Sequence, residues 1–192
     1  CMALGAVFGL GVAMYTGVLL WSAHSIPLWN TPLIPVLFTI SALDAGASVI
    51  LAALLFEKSD EASIFVKRVS IALVALIVLE ACTLGALFCM HLGGSMSQVL
   101  SANTLLKGDL SIQFWVLVVI VGLAIPFVLT VLELAHVVHK PELSRLMHFG
   151  AAAFALVGGF TLRFVILTGG MHAVLMSPSA YQAMLGVYTF IG

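Results

Sequence analysis

Five stretches of this chain run for about 20 residues or more with almost no charge. They cover about Met2–Ala23, Leu33–Phe56, Val69–His91, Ile112–Val138 and Phe149–Met176. A helix needs about 20 apolar residues to cross a bilayer. In lipid, a single segment can satisfy its own backbone hydrogen bonds only by being helical. The expectation is therefore an all-α, polytopic transmembrane helical bundle, with one transmembrane domain over residues 1–192 and five spans. Composition agrees: 62% of the residues are hydrophobic and 8% are charged, against about a quarter charged in soluble domains. Such a chain cannot cover its surface with polar groups, so the lipid bilayer is its solvent. A net charge of −1 supplies no basic field for nucleic acid.

The connections are also legible. Ser25–Pro35 holds Pro27, Pro32 and Pro35 and ends the first helix. Glu57–Arg68 and His139–Arg145 are charged loops, and Leu92–Ser111 is a longer polar one. A last apolar piece, Tyr181–Ile191, is too short to cross. Lys58, Lys67, Arg68, Lys140 and Arg145 gather on one side and Lys107 alone on the other. The positive-inside rule puts the first side in the cytoplasm. The chain then enters from the cytoplasm and finishes outside, with Trp21, Trp29 and Trp115 at the outer aromatic belt. It opens on Cys1 with no charged region ahead of the first span, which reads as a chain lacking its natural N-terminus rather than as a signal peptide.

Gly5, Gly9, Ala13 and Gly17 recur every fourth residue in the first span, a small-residue groove for close helix packing. Pro126 is expected to kink the fourth span. Cys82 and Cys89 lie seven apart on one helix, too far for a disulfide there, and read as apolar core fillers.

Three residues contradict their surroundings. Asp44, Glu80 and Arg163 fall near the centres of the second, third and fifth spans. Each placement costs roughly 2.5–3.5 kcal/mol on insertion scales unless the group is paired or faces water. Their similar depth allows a mutual cluster with one net negative charge or one held proton. Three readings stay open: a clip in which Arg163 ties helices through an acid, a buried proton path, and an ion or substrate site. Ser41 and Ser48 share the helix face of Asp44, Thr83 lies one turn from Glu80, and Gly159 leaves room beside Arg163. Glu133, flanked by Thr130 and His136, is a further candidate for a proton inlet near the cytoplasmic end.

The six histidines cluster at span ends: His24, His91 and His172 outside, His136, His139 and His148 inside. A b-type haem needs axial histidines at matching depth, and the span-end positions argue against one. No metal site is expected, nor any iron–sulfur cluster in this chain, since CxxC pairs are lacking.

The stretch YTGVLLWSAHSIPLWNTPLIPVLFTISALDAG, residues 15–46, resembles the NrfD/PsrC family of membrane anchor subunits. The matching pieces are Tyr15-Thr16-Gly17, the turn Pro27-Leu28-Trp29-Asn30, Pro35 and Ser41-Ala42-Leu43. Leu162-Arg163 with Ile166 to Gly170 is similar to the family's last core helix. Across the whole chain, the resemblance implies the fourth to eighth helices of a longer protein. It implies an anchor that exchanges electrons with menaquinone or ubiquinone in a bacterial or archaeal inner membrane, as in anaerobic respiration. The implied partners are an iron–sulfur (ferredoxin-like) subunit and a molybdopterin or multihaem cytochrome subunit on the outer face. The implied quinone contacts are Tyr15, with His24 and Trp29 near the same end. Arg163 matches an arginine linked in the family to proton movement, and with Asp44, Glu80 and Glu133 it makes the candidate proton pathway. The competing functions are a proton- or ion-coupled transporter and a haem b-binding cytochrome subunit. Against the transporter stands the lack of an internal repeat.

Overall fold

The computed structural model describes residues 2–54, 60–108, 110–135 and 141–175. Tyr181–Ile191, His136 and His139 lie outside the described residues. All described elements are helices: α1 (Met2–Trp21), α2 (Leu33–Leu54), α3 (Asp60–Leu92), α4 (Met96–Leu106), α5 and α6 (Pro141–Leu175). α5 starts with π-type hydrogen bonding over Gln113–Ala124 and continues as α-helix over Ile125–Leu134. Among the described residues, four helices are long and apolar enough to cross a membrane: Leu33–Leu54, Ile64–Leu92, Gln113–Leu134 and Leu146–Met171. The first span is represented by a shorter apolar run, Val7–Trp21, within the 20 residues of α1.

Helix register explains the bundle. On α2 the buried residues include Ile34, Leu37, Ser41, Asp44, Ser48 and Leu51. On α3 they include Ser70, Leu73, Ile77, Glu80, Leu84, Leu87 and His91. Both series advance in steps of three and four, the period that keeps one seam facing a neighbour in left-handed helix packing. α2 packs on α3 and α6, and α5 packs on the same two helices, so the four form a closed ring. α1 packs on α2 from outside the ring, and α4 lies against α3 and α6. The distribution is inverted relative to a soluble protein. Phe8, Ile112 and Phe160 point outward, while Asp44, Glu80, Thr130 and His148 are buried. That inversion is what a lipid solvent selects.

Glycines set two of the closest crossings. Gly122 and Gly158 bring α5 and α6 backbone to backbone, and a Cβ on either would collide with the other. A Cβ on Gly17 would lie 2.5 Å from Pro35 Cα, so the first helix crosses the start of α2 there. The rest of the expected groove goes unused inside the chain: Gly5 and Gly9 have open space around them.

The structure departs from the sequence expectation at four places. The polar stretch after α3 is not simply a loop, because Met96–Leu106 folds into α4. The Ser95 backbone N–H donates to Gln98 Oε1 at 2.9 Å, a start signal of the S-x-x-Q kind, and Ser101, Ala102 and Leu105 turn inward. Charged Asp60–Arg68 is not loop but the opening turns of α3. Pro126 acts upstream of itself, since proline lacks the N–H and crowds the carbonyl one turn back. The preceding 12 residues widen to π geometry, with Ile125 N–H donating to Ile120 O. Finally, Cys82 and Cys89 are exposed rather than core fillers, because both lie off the buried seam of α3.

Candidate functional site

The ring encloses a polar cluster at mid-depth. The seams of α2 and α3 bring Asp44 and Glu80 inward, leaving them 3% and 4% exposed. The Glu80 carboxylate accepts a hydrogen bond from the Ser41 hydroxyl. It also feels the charges of Arg163 on α6 and Asp44 on α2. Arg163 Nη1 donates to Gly159 O at 2.9 Å and Nη2 donates to Phe38 O at 3.2 Å. The guanidinium carbon stands 5.5 Å from the Phe38 ring centroid, within cation–π range. Gly159 makes this possible, since a Cβ there would sit 3.2 Å from Ser41 Oγ and 3.4 Å from Arg163 Nη1. Asp44 Oδ1 and Ser48 Oγ are buried and make no hydrogen bond to protein. With Asp44 and Arg163 both acting on Glu80, the two carboxyl groups can hold a single proton between them without leaving the interior. That chemistry serves equally to clip helices and to pass a proton.

A second polar group occupies the inner half of the ring. His148 Nε2 on α6 pairs with Glu133 Oε2 on α5. Thr130, three residues before Glu133, is also buried. At the other end, His91 is buried, with Nδ1 2.8 Å from Leu87 O and Nε2 3.3 Å from Pro27 O. It thereby fastens the proline-rich turn to the end of α3. Reading the histidines as span-end residues missed both roles. The available signal was register: His91 falls four residues after Leu87 on the α3 seam, and His148 begins the α6 series that runs through Ala151, Ala155, Leu162 and Val165.

The three candidate quinone contacts are placed differently. Tyr15 is 65% exposed on the outward side of α1, among Phe8, Val12 and Leu19. His24 is exposed just beyond α1, with Nδ1 2.7 Å from Ser22 O. Trp29 is buried instead: its Nε1 donates to Ile166 O at 3.0 Å, and its indole fills the space left by Gly170. Trp29 thus ties the Pro27–Asn30 turn to α6.

Comparison with known proteins adds a lineage to this geometry. The family model described as "Polysulphide reductase, NrfD" matches residues 2–175. The sequence is 36% identical over 172 residues to the C subunit of polysulfide reductase from Wolinella succinogenes, covering 88% of this protein and 52% of that one. It is 32% identical over 179 residues to an NrfD homologue of Haemophilus influenzae, covering 89% and 51%, and 33% identical to NrfD of Escherichia coli, covering 88% and 52%. The chain therefore spans about half the length of these curated relatives. No solved structure gives a significant match.

Proposed function

The chain belongs to the NrfD polysulphide reductase family, and from that premise we propose that it is part of the quinone-reactive membrane anchor of a respiratory electron-transfer complex. One relative is named as a component of polysulfide reductase, so association with further subunits is part of the reading. The electrons pass between menaquinone or ubiquinone in the membrane and an iron–sulfur subunit on the outer face. A molybdopterin or multihaem cytochrome subunit completes the complex. This chain handles the quinone and the protons.

The observation that carries the reading is the enclosure of Asp44, Glu80 and Arg163 inside a ring of apolar helices in a protein of this family. An ionisable cluster at mid-membrane is expensive and is kept where ions or protons are handled. Tyr15 supports the quinone half. Its phenol can donate to a quinone carbonyl, and its outward position on an apolar helix leaves it accessible to a lipid-soluble ligand. His24 lies beyond the same end of that helix, while Trp29 contributes by holding the turn. A carboxyl or imidazole beside a quinol can accept the protons that oxidation releases.

The test is quinol oxidation by the intact complex. Tyr15→Phe keeps the ring and removes the hydroxyl, so KM for quinol is expected to rise about 5- to 30-fold, one lost hydrogen bond's worth. Unchanged KM and turnover would remove Tyr15 from the site. Arg163→Gln is expected to impair proton coupling more than assembly.

A further inference from the structure

His91 on α3 grips two carbonyl oxygens at once. Its Nδ1 lies 2.8 Å from Leu87 O and its Nε2 3.3 Å from Pro27 O, and the residue is 2% exposed. A carbonyl oxygen can only accept, and a neutral imidazole has a single N–H. With one proton on the ring, one of the two contacts sets a nitrogen lone pair against an oxygen lone pair. Only the imidazolium, with an N–H on each nitrogen, makes both bonds. Among the described residues no backbone N–H of the turns and loops donates to Pro27 O, so that oxygen depends on Nε2.

The place suits a cation. His91 stands in the last turn of α3, where the helix dipole gathers partial negative charge. Gly93 and Gly94 close the helix behind it, donating to Cys89 O and His91 O. A buried charge is tolerated when its donors are bonded, and here both ring nitrogens have acceptors. The other charged and titratable groups on the packed elements stand away from the ring. Among the described residues, His24, Cys89 and Lys107 are exposed. Asp44 on α2, Glu80 on α3 and Arg163 on α6 sit at mid-depth, and α5 offers Glu133 at its far end. Glu80 is eleven residues from His91, about 16 Å at 1.5 Å per residue.

What His91 holds is the turn at residues 27–30, between His24 and the start of α2. Trp29 fastens the same turn to α6, its Nε1 donating to Ile166 O at 3.0 Å. The two anchors differ in kind. The indole N–H is a donor at every pH. The bond to Pro27 O has a donor only while Nε2 carries its proton.

Resting on the quinone reading above, we propose that His91 is a positioning residue for that site and that its hold on the turn switches with one proton. With the proton bound, the turn is fastened to α3 and α6 together, which fixes the segment from His24 to Trp29. When the ring gives a proton to water, the shorter contact, to Leu87 O, keeps the remaining N–H. The Pro27 contact then opens, and the turn is left on the Trp29 anchor alone. The grip is therefore present at low pH and lost as pH rises.

The experiment reads amide hydrogen exchange of residues 28–30 in the intact complex, corrected for the intrinsic rate at each pH. It spans about pH 5 to 8, the range in which histidine exchanges its proton. The Trp29 and Asn30 amides are bonded to Ile26 O and report opening of the turn. Wild-type protection is expected to fall about fivefold as pH rises, one lost hydrogen bond's worth. His91→Gln, whose amide donates at every pH, is expected to give protection that is flat with pH. His91→Phe is expected to be flat and low. On the same samples, the KM for a short-chain naphthoquinol is expected to rise as protection falls, with kcat unchanged. Wild-type protection that ignores pH would overturn the switch without any variant having to fold, and so would a slope that survives in His91→Gln. A KM that does not follow protection would overturn the positioning role. A complex that oxidises no quinol at all would contradict the proposed function, while exchange still decides the switch.

Discussion

The interior of the four-helix ring and the outer face of α1 follow opposite rules. Inside the ring, ionisable groups sit on strict seams and all but Asp44 have named polar partners: Glu80 has Ser41, Arg163 has the carbonyls of Gly159 and Phe38, and His148 has Glu133. On α1 the contacts run to α2 alone in any number, and Phe8, Val12 and Tyr15 project away from the ring. The contrast separates two kinds of residue. On the proposed function, a change in the ring is expected to disturb stability and proton chemistry together. On the same reading, a change on the α1 face is expected to alter quinone binding while leaving the bundle intact.

Substitutions can break or sharpen this contrast. The largest effect is expected for Arg163→Leu. It removes the cation that acts on the buried Glu80 carboxylate and the donors to the Gly159 and Phe38 carbonyls, about 1.5–3 kcal/mol for each charged hydrogen bond lost. The check is the yield of assembled complex in membranes, expected to collapse, whereas Arg163→Gln retains donors for the two carbonyls and assembles. Next is Gly158→Leu, which forces α5 and α6 apart where they meet at Gly122. Overpacking of this kind costs about 1–3 kcal/mol, read as a lowered melting temperature in detergent. Trp29→Phe removes one buried hydrogen bond to Ile166 O, about 1 kcal/mol, and a small drop in melting temperature is expected. Tyr15→Phe completes the series: an exposed hydroxyl on α1 contributes nothing to the bundle, so the melting point stays fixed while the quinol KM rises. A destabilised Tyr15→Phe protein would erase the distinction between the two regions.

Much of the fold is legible in the residues alone, and for one reason. Long uncharged runs in a sparsely charged protein admit few folds, and charges within them must point inward. Asp44 and Glu80 stand out as candidates on those grounds. What sequence conceals is whatever depends on exact helix register or on short elements. α4 is 11 residues and carries no span-length apolar run, so only its capping signal could reveal it. His148 looks like a residue at a span end, and the cross-helix partner that changes its meaning lies on a different helix. Trp29 looks accessible because aromatic residues near a span end usually form a belt. The absence of a side chain at Gly170, 141 positions later by sequence number, is what draws it inward. The cysteines mislead because hydrophobicity alone does not distinguish a core from a lipid-facing position. On α3 only the three-and-four seam makes that distinction.

For the ring to enclose a working cluster, Glu80 and Arg163 must act on each other rather than each face lipid separately. A double-mutant cycle measures that directly: unfolding free energies in lipid–detergent micelles for Glu80→Gln, Arg163→Gln and the two combined. The expected result is a coupling energy of at least about 1 kcal/mol, with the double variant less damaged than the sum of the singles. Additivity to within about 0.5 kcal/mol would mean that the two side chains do not interact, and the enclosed cluster would lose its basis.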